Sequence, residues 1–584
     1  MRLEDYWGIG PKTRDLLTEE LGVEAAIAAI EAADVRALTD AGLPRGRATR
    51  VLRHAHGGDA MGLLATRDAR DVYKSILDIV GTFAVTDRAG DRVRILTPLS
   101  DSEAMRDRLD GVLDARDTWR ALSESEREAV LDAFESYDSV AGGDLSAVRA
   151  ALALQEVGVR DGVFEPVAAL DADVLEDAAT ALAGLEGGGD RVGEGADDRL
   201  DELRGQLGAV EDMAATPTEV LERVQSGARG TDDLRESFAR HVADESGVGV
   251  ARVREAMPGD AADAAAFVGE TLRELSRDLR EAAQRREAEV AEQLEGVLEE
   301  AGEAVEAAVS EVDDLAFDLS LARFALAFDL SRPRFVDRDV TGAVEARNLL
   351  LEDAGEDVQP VTYAVGEHDL AVAGASQPPD DRVAVLTGAN SGGKTTLLET
   401  LCQVQLLAQM GLPVPATDAE VSVVDTIVFH RRHASFNAGV LESTLRSVVP
   451  PLTGGGQTLM LVDEFEAITE PGRAADLLHG LVNLTVEKAA TGVFVTHLAD
   501  DLEPLPEAAR TDGIFAEGLS PDLELEVDYQ PRFGTVGRST PEFIVSRLIA
   551  NATDRSERAG YETLAEAIGE SAVQRTLADA RWRG

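Results

Sequence analysis

One stretch restricts the fold of this 584-residue chain more than any other. The apolar run Arg382-Val383-Ala384-Val385-Leu386-Thr387 leads into Gly388-Ala389-Asn390-Ser391-Gly392-Gly393-Lys394-Thr395-Thr396, and then into the apolar helix pattern Leu397-Leu398-Glu399-Thr400-Leu401. A buried strand, a Gly-rich loop and a helix in that order make a P-loop, which requires an α/β domain around it. Glycines let successive backbone N–H groups turn inward around phosphate oxygens, and the helix N-terminus adds positive partial charge. Lys394 then reaches the β- and γ-phosphates, and Thr395 offers its hydroxyl to Mg²⁺. Composition sharpens this reading. The chain has only four lysines, Lys12, Lys74, Lys394 and Lys488, with arginine supplying its other basic side chains. A lysine kept at 394 is expected where a compact ammonium fits and a guanidinium fork does not.

Two later strands bring acids and an imidazole to the same sheet edge. Thr458-Leu459-Met460-Leu461-Val462-Asp463-Glu464 is an apolar strand ending in two carboxylates, which the carboxyl edge of a parallel sheet presents to ligands. Asp463 is expected to hold Mg²⁺ through water, and Glu464 to orient or polarise the attacking water. Gly492-Val493-Phe494-Val495-Thr496 delivers His497 at the end of a third strand, in reach of a γ-phosphate.

The rest of the composition bounds the class. There are 110 Asp+Glu against 56 Lys+Arg, a formal net charge of -54, yet 44% of residues are hydrophobic. That excludes an acidic disordered chain, and the acid belongs on the surface of real cores. Much acid with Arg in place of Lys is a halophilic pattern: in molar salt the Debye length falls to about 3 Å, so like charges repel little. A single cysteine, Cys402, excludes an intrachain disulfide framework. The opening Met1-Arg2-Leu3-Glu4-Asp5 is not a signal peptide, and no run of about 18 apolar residues occurs, so a cytoplasmic protein without membrane contact is expected.

Patterning divides the chain into a multidomain α plus α/β arrangement. Residues 1–58 hold two similar helix, Gly turn, helix pieces. Residues 59–104 read as a small connector whose runs Gly81–Thr86 and Arg92–Leu96, parted by Asp87-Arg88-Ala89-Gly90-Asp91, predict a β-hairpin. Residues 105–340 are Ala-, Glu-, Leu- and Arg-rich and predict a long helical core. Within them Leu272, Leu275, Leu279, Ala282, Val290, Leu294, Val297, Ala301, Val305, Ala308, Val312, Leu315 and Leu319 recur at coiled-coil spacing, broken by Arg286. At 1.5 Å per residue that stretch extends roughly 70 Å. Residues 341–540 alternate strands and helices as a P-loop NTPase domain, and 541–584 form a helical tail.

Taken together these motifs resemble the MutS ATPases of the ABC class. The resemblance runs from Val312-Asp313-Asp314-Leu315-Ala316 and Ser331-Arg332-Pro333-Arg334-Phe335 through the Gly388–Thr396 loop to Leu406–Ala416. It continues at Ala434-Ser435-Phe436, Asp463-Glu464, Thr496-His497, Val527-Asp528-Tyr529, Gly537-Arg538-Ser539 and Arg547-Leu548. It implies ATP and Mg²⁺ as cofactors, and a homodimer of ATPase heads in which Ser435 contacts the nucleotide of the partner head. The only Phe-x-Glu string, Phe515-Ala516-Glu517, follows the ATPase motifs, so the mismatch-reading wedge of the family is not recognisable. The chain is therefore similar to the archaeal MutS-two branch, DNA-binding ATPases without mismatch specificity. Departures from the family are Glu466 and Ile468 in place of two glycines, and Ala434 at the first signature position.

An acidic chain needs a local means of holding DNA. Gly8-Ile9-Gly10 and Gly42-Leu43-Pro44-Arg45-Gly46 resemble tandem helix-hairpin-helix motifs, whose turns offer N–H groups to phosphates without reading sequence. Residues 1–58 carry eight Lys+Arg against nine Asp+Glu, so they are nearly neutral. Gly8, Gly10, Lys12, Gly42, Arg45, Gly46 and Arg47 are the expected contacts to double-stranded or branched DNA. The function expected is a DNA-dependent or DNA-associated ATPase in repair or recombination control. The rivals are a nucleotide-switched protein-binding module with little hydrolysis, a true mismatch sensor, and an SMC-type ATPase, which needs far longer coiled coils.

Overall fold

The computed structural model describes every residue except 1, 2, 4, 5, 7, 32, 140–142, 187–190, 226–230, 371–380, 389–392, 432–437, 466–470, 520–524, 538–540, 570–572 and 574–584. The chain separates into two compact units. One comprises Met1–Arg127, Asp161–Val163 and Asp314–Gly584, and the other Glu128–Arg160 and Phe164–Asp313.

Among its described residues the second unit is built of helices and one short ribbon, β1 (Leu185–Glu186) with β2 (Arg191–Val192). One of its cores sets Leu272, Leu275, Leu279, Ala283 and Val290, from the 64-residue helix Ala264–Ala327, against Leu200, Leu203, Val210, Phe238, Val242 and Val253 of shorter helices. The first part of the periodic seam, Leu272 to Val290, is thus packed on short neighbours within its own unit. Arg286 interrupts the apolar repeat because it makes a two-pronged pair with Asp197, Nε to Oδ1 at 3.0 Å and Nη2 to Oδ2 at 2.7 Å. Asp197 also caps helix Asp198–Ala215 by accepting from the Leu200 N–H.

In the first unit, residues 11–57 form helices Pro11–Glu20, Val23–Glu31, Val35–Asp40 and Arg45–Gly57 around Leu17, Ile30, Leu38, Val51 and Leu52. The β-hairpin expected over 80–98 is not present. Helix Arg67–Gly81 runs into that segment, and Thr86 caps a second helix, Asp87–Ile95, by accepting from the Ala89 N–H at 3.0 Å. The expected turn Asp87–Asp91 is that helix's first turn. Tertiary packing decides the outcome, because Ala89 and Val93 recur at helical spacing and are both buried. Leu64, Val72, Ile76, Leu77, Val80 and Val93 belong to one hydrophobic core with both sheets of this unit.

Ten strands form those sheets: β3 (Arg334–Phe335), β4 (Val340–Ala346), β5 (Val361–Gly366), β6 (Val383–Gly388), β7 (Asp418–Val421), β8 (Thr426–His430), β9 (Thr458–Asp463), β10 (Thr491–Val495), β11 (Ala509–Leu519) and β12 (Leu525–Phe533). The larger sheet has the order β12-β11-β6-β10-β9-β8, parallel except for β12, and the smaller one β3-β7-β4-β5. Strands β6, β9 and β10 are buried along their whole length, as their continuous apolar runs require of a parallel sheet covered on both faces.

Helix Lys394–Gln409 runs through this core. Its buried Gln403, Gln405 and Gln409 satisfy main-chain groups of Leu349, Ser422 and Val424. Helices Pro541–Asn551 and Arg555–Ile568 follow the sheet. No helix among the described residues is long and apolar enough to cross a membrane.

Candidate functional site

The parallel register brings the ends of three strands side by side. Val495 pairs with Leu386 on one side and with Asp463 on the other. The ladder continues one step further, with Thr496 N–H donating to Leu386 O at 3.1 Å and Glu464 N–H to Val495 O at 3.0 Å. Gly388, Asp463, Glu464 and His497 therefore emerge from one sheet edge, and the helix that begins at Lys394 lies against it.

Two glycines are required by close approach. Gly388 has φ +138°, and a Cβ there would lie 2.2 Å from the Ile514 carbonyl oxygen. Gly393 has φ +68°, and its Cβ would meet the Tyr529 ring at 2.8 Å. Ala389, Asn390, Ser391 and Gly392 lie outside the described residues, as do Ser435, Ala434, Glu466 and Ile468.

Lys394 is 4% exposed, and its Nζ donates to the Gly388 carbonyl at 3.0 Å. Thr395 Oγ1 donates to Asp463 Oδ2 at 2.6 Å. Glu464 sits at φ +43°, a backbone conformation costly for a side chain of its size and one that functional sites often retain. Its Oε1 is 3.0 Å from His497 Nε2. Thr396 lies in the first turn of the helix and lines the neighbouring cavity.

That cavity, of about 430 Å³, is bounded by Lys394, Thr395, Thr396 and Glu464 on one side and by Asn348, Leu351, Glu356, Gln359, Val361 and Tyr529 on the other. Asn348 is buried and fully engaged. It donates to Thr400 Oγ1 at 3.1 Å and accepts from Leu351 N–H and Gln403. Gln359 donates to Asp528 at 3.2 Å and accepts from the Tyr529 N–H, holding that ring beside Gly393. Among the described residues no group of three His, Cys, Asp or Glu side chains could hold a metal ion. Thr395 and Asp463 offer two hard oxygens, a set suited to Mg²⁺ when phosphates and water complete its octahedron.

Further along the helix, Glu399 pairs with Arg431, the residue after β8. Burial pushes the Glu399 carboxyl above its ordinary value, against the opposing pull of Arg431. Asn348, Gln359, Glu399 and Arg431 are not among the sequence candidates, and Tyr529 enters there only within a resembling segment. Each is an ordinary residue locally and gains its place only through partners far away in the chain.

The N-terminal candidates form a separate group. Gly8 has φ +83° and Gly42 φ +85°, so both occupy turns that favour glycine, and Gly10 caps helix Pro11–Glu20. Gly42 links helices Val35–Asp40 and Arg45–Gly57. Lys12, Gly46 and Arg47 are exposed. Arg47 Nη2 lies 3.5 Å from the Gly8 carbonyl, which brings the two turns together. Arg45 is paired with Asp91, so its charge is partly neutralised.

Residues 384–502 match the family model described as MutS domain V. The three strand ends and the helix from Lys394 lie inside the match. Over 236 residues it is 44% identical to the DNA-binding protein MutS2 of Pyrococcus furiosus, covering 40% of each chain. It is 30% identical over 251 residues to an Endonuclease MutS2 of Thermomicrobium roseum, covering 40% of this chain and 30% of that one. A similar protein from Listeria monocytogenes, also called Endonuclease MutS2, is 29% identical over 272 residues, covering 44% of this chain and 32% of that one. Over the part that aligns, the chain is similar to these MutS2 proteins. The aligned part spans two fifths of the Pyrococcus relative and about a third of the other two.

Proposed function

We propose that this chain is a DNA-binding ATPase of the MutS2 type that binds DNA without mismatch specificity. In this reading residues 341–540 are a P-loop ATPase domain, 1–58 a tandem helix-hairpin-helix module, 59–104 a connector, 105–340 a helical core, lever and clamp, and 541–584 a dimerisation tail. Two ATPase heads pair as a homodimer, each offering Ser435 to the other's nucleotide. The observation that carries it is the meeting of Lys394, the Thr395–Asp463 pair and the Glu464–His497 pair at one sheet edge, beside a cavity of nucleotide size and inside the MutS domain V match.

The chain's own groups divide the work. Gly388 through Thr396 surround the phosphates with main-chain N–H groups, and Lys394 exchanges its carbonyl partner for β- and γ-phosphate oxygens. Mg²⁺, when bound at Thr395 and Asp463, supplies charge neutralisation on the phosphates. Glu464 orients a water in line with the γ-phosphate, and His497, 3.0 Å away, holds that carboxylate in place and faces the same phosphate. On DNA, the N–H groups of the Gly8–Gly10 and Gly42–Gly46 turns meet phosphates, with Lys12, Arg45 and Arg47 adding charge. In high salt such direct bonds outweigh counterion release.

The test joins both activities on the full chain in molar KCl. ATP turnover and duplex binding are measured for the wild type, for Lys394→Ala and for Gly42→Asp. Lys394→Ala is expected to lower turnover about a hundredfold or more while duplex binding persists. Gly42→Asp is expected to lose duplex binding and to keep basal turnover. Nucleotide binding with negligible turnover in the wild type would instead favour the switch reading, in keeping with Glu466 and Ile468. Tighter binding to a mispaired duplex than to a matched one would favour the mismatch sensor.

A further inference from the structure

Helix Lys394–Gln409 is stitched to two neighbouring strand ends by one face. Thr395 and Glu399 are four residues apart and so lie one above the other on that face. Thr395 bonds Asp463 at the end of β9, and Glu399 pairs with Arg431 just beyond β8. The β8–β9 register, in which His430 faces Val462, sets Arg431 alongside Asp463. The grip on Glu399 therefore acts on the same helix turn and the same sheet edge as the Thr395–Asp463 contact.

Arg431 is in turn held from outside the sheet. Strand β8 is the last in its sheet order, and residues 64–68 run along its outer side. Leu64 bridges to Ile427 in parallel, and Ala65 N–H donates to Ile427 O at 3.2 Å. Thr66 Oγ1 brackets Phe429, donating to its carbonyl at 2.6 Å and accepting from its N–H at 3.1 Å across 363 positions of sequence. Asp68 Oδ2 accepts the Arg431 N–H at 2.8 Å, and Arg70 fastens the segment by donating to Leu64 and Ala65 carbonyls. At a sheet edge, a main-chain N–H without such an acceptor loses its pairing partner and the strand end frays.

We propose that Asp68 and Arg431 are positioning residues for the metal end of the nucleotide pocket. Asp68 fixes the Arg431 main chain, the Arg431 guanidinium fixes Glu399, and Glu399 fixes the helix face that presents Thr395 to Asp463. The N-terminal strap 64–70 thereby completes the metal end of a site, whose Thr395, Glu399, Arg431 and Asp463 all lie more than three hundred positions later. The proposal rests on the nucleotide reading above and assigns part of that site's control to the strap.

The measurement is equilibrium binding of a fluorescent ADP analogue to the full chain, with Mg²⁺ and with excess EDTA. The wild type is expected to bind more tightly with Mg²⁺. Asp68→Ala should cut that Mg²⁺-dependent gain by about tenfold, the scale on which outer partners of metal ligands act. Affinity in EDTA should stay within about twofold, because the phosphate grip of Lys394 is untouched. Asp68→Asn keeps an oxygen acceptor for the Arg431 N–H and should restore most of the gain. Arg431→Lys, whose ammonium does not take the place of the Nη2 that meets Glu399, should lose it as Asp68→Ala does. Combining Asp68→Ala with Arg431→Lys should add little, as members of one relay couple. An unchanged Mg²⁺ gain in Asp68→Ala and Arg431→Lys would overturn the relay alone, and so would an equal loss of affinity with and without Mg²⁺. A wild type that binds the analogue under neither condition would sink the nucleotide reading and the relay with it.

Discussion

Lys394 illustrates how much a single residue discloses through its neighbours in the chain. Its place in a Gly-rich loop, within a sequence that otherwise uses arginine, marks it out, and it is 4% exposed with its ammonium on the Gly388 carbonyl. Lys394→Arg keeps the charge but asks a guanidinium to occupy that narrow space. It should weaken nucleotide binding by about 1.5–3 kcal/mol, roughly ten- to a hundredfold, when titrated calorimetrically. Other residues give no such sign. Asp318, on helix Ala264–Ala327, looks like any surface acid in the sequence, yet burial pushes its carboxyl up to about 6, with Arg92 drawing it down and Asp314 raising it further. Because the folded value lies above the unfolded one, the folded state binds this proton more tightly. The resulting stabilisation is complete below about pH 4, is lost as pH rises through about 6, and does not change beyond. Asp318→Asn removes that loss. Urea unfolding at pH 7.5 should find the variant about 2 kcal/mol more stable than the wild type, with the difference closing at pH 4. An equal difference at both pH values would show that the Asp318 proton is not its source.

At the scale of elements, what is legible is what repeats or what carries local chemistry. The apolar seam of helix Ala264–Ala327 and the strand, loop and helix around Gly388 both announce themselves through short-range pattern. The segment 80–98 does not. Its β-branched Val85, Thr86 and Val93 and the polar stretch between them suit a hairpin, and only the buried face made by Ala89 and Val93 selects the helix. Thr86 is the decisive local residue, since its hydroxyl caps the helix and is itself buried at 3% exposure. Thr86→Ala should cost about 1 kcal/mol in urea unfolding, with Thr86→Ser recovering most of it. In a hairpin Thr86→Ser would not recover the loss, because a strand favours the β-branched side chain rather than the hydroxyl. The strap along β8 is beyond reach of the sequence for a different reason. Pairing across 363 positions leaves no periodicity to read, and Thr66 and Asp68 read only as a helix N-terminus, which they also are.

For the whole molecule the governing quantity is net charge. Basic residues number 56 against 110 acids, so even complete pairing would leave an excess of carboxylates. The observed surface pairs, such as Arg280 with Glu211 and Arg252 with Asp278, are worth about 0–1 kcal/mol each and weaken as salt is added. Mutual repulsion of the unpaired excess weakens too, and because it is summed over the entire surface it outweighs the loss of those pairs. Raising KCl from 0.1 to 1 M shortens the Debye length from about 10 Å to about 3 Å, which removes repulsion between carboxylates that are not immediate neighbours. Every unfolding midpoint should therefore rise with KCl at pH 7.5, most steeply below about 1 M. The rise should shrink near pH 4, where protonation removes part of the charge that salt would otherwise screen. A midpoint that falls with added KCl would mean that the ion pairs dominate. A rise of equal size at both pH values would mean that salt acts through hydrophobic burial rather than through charge.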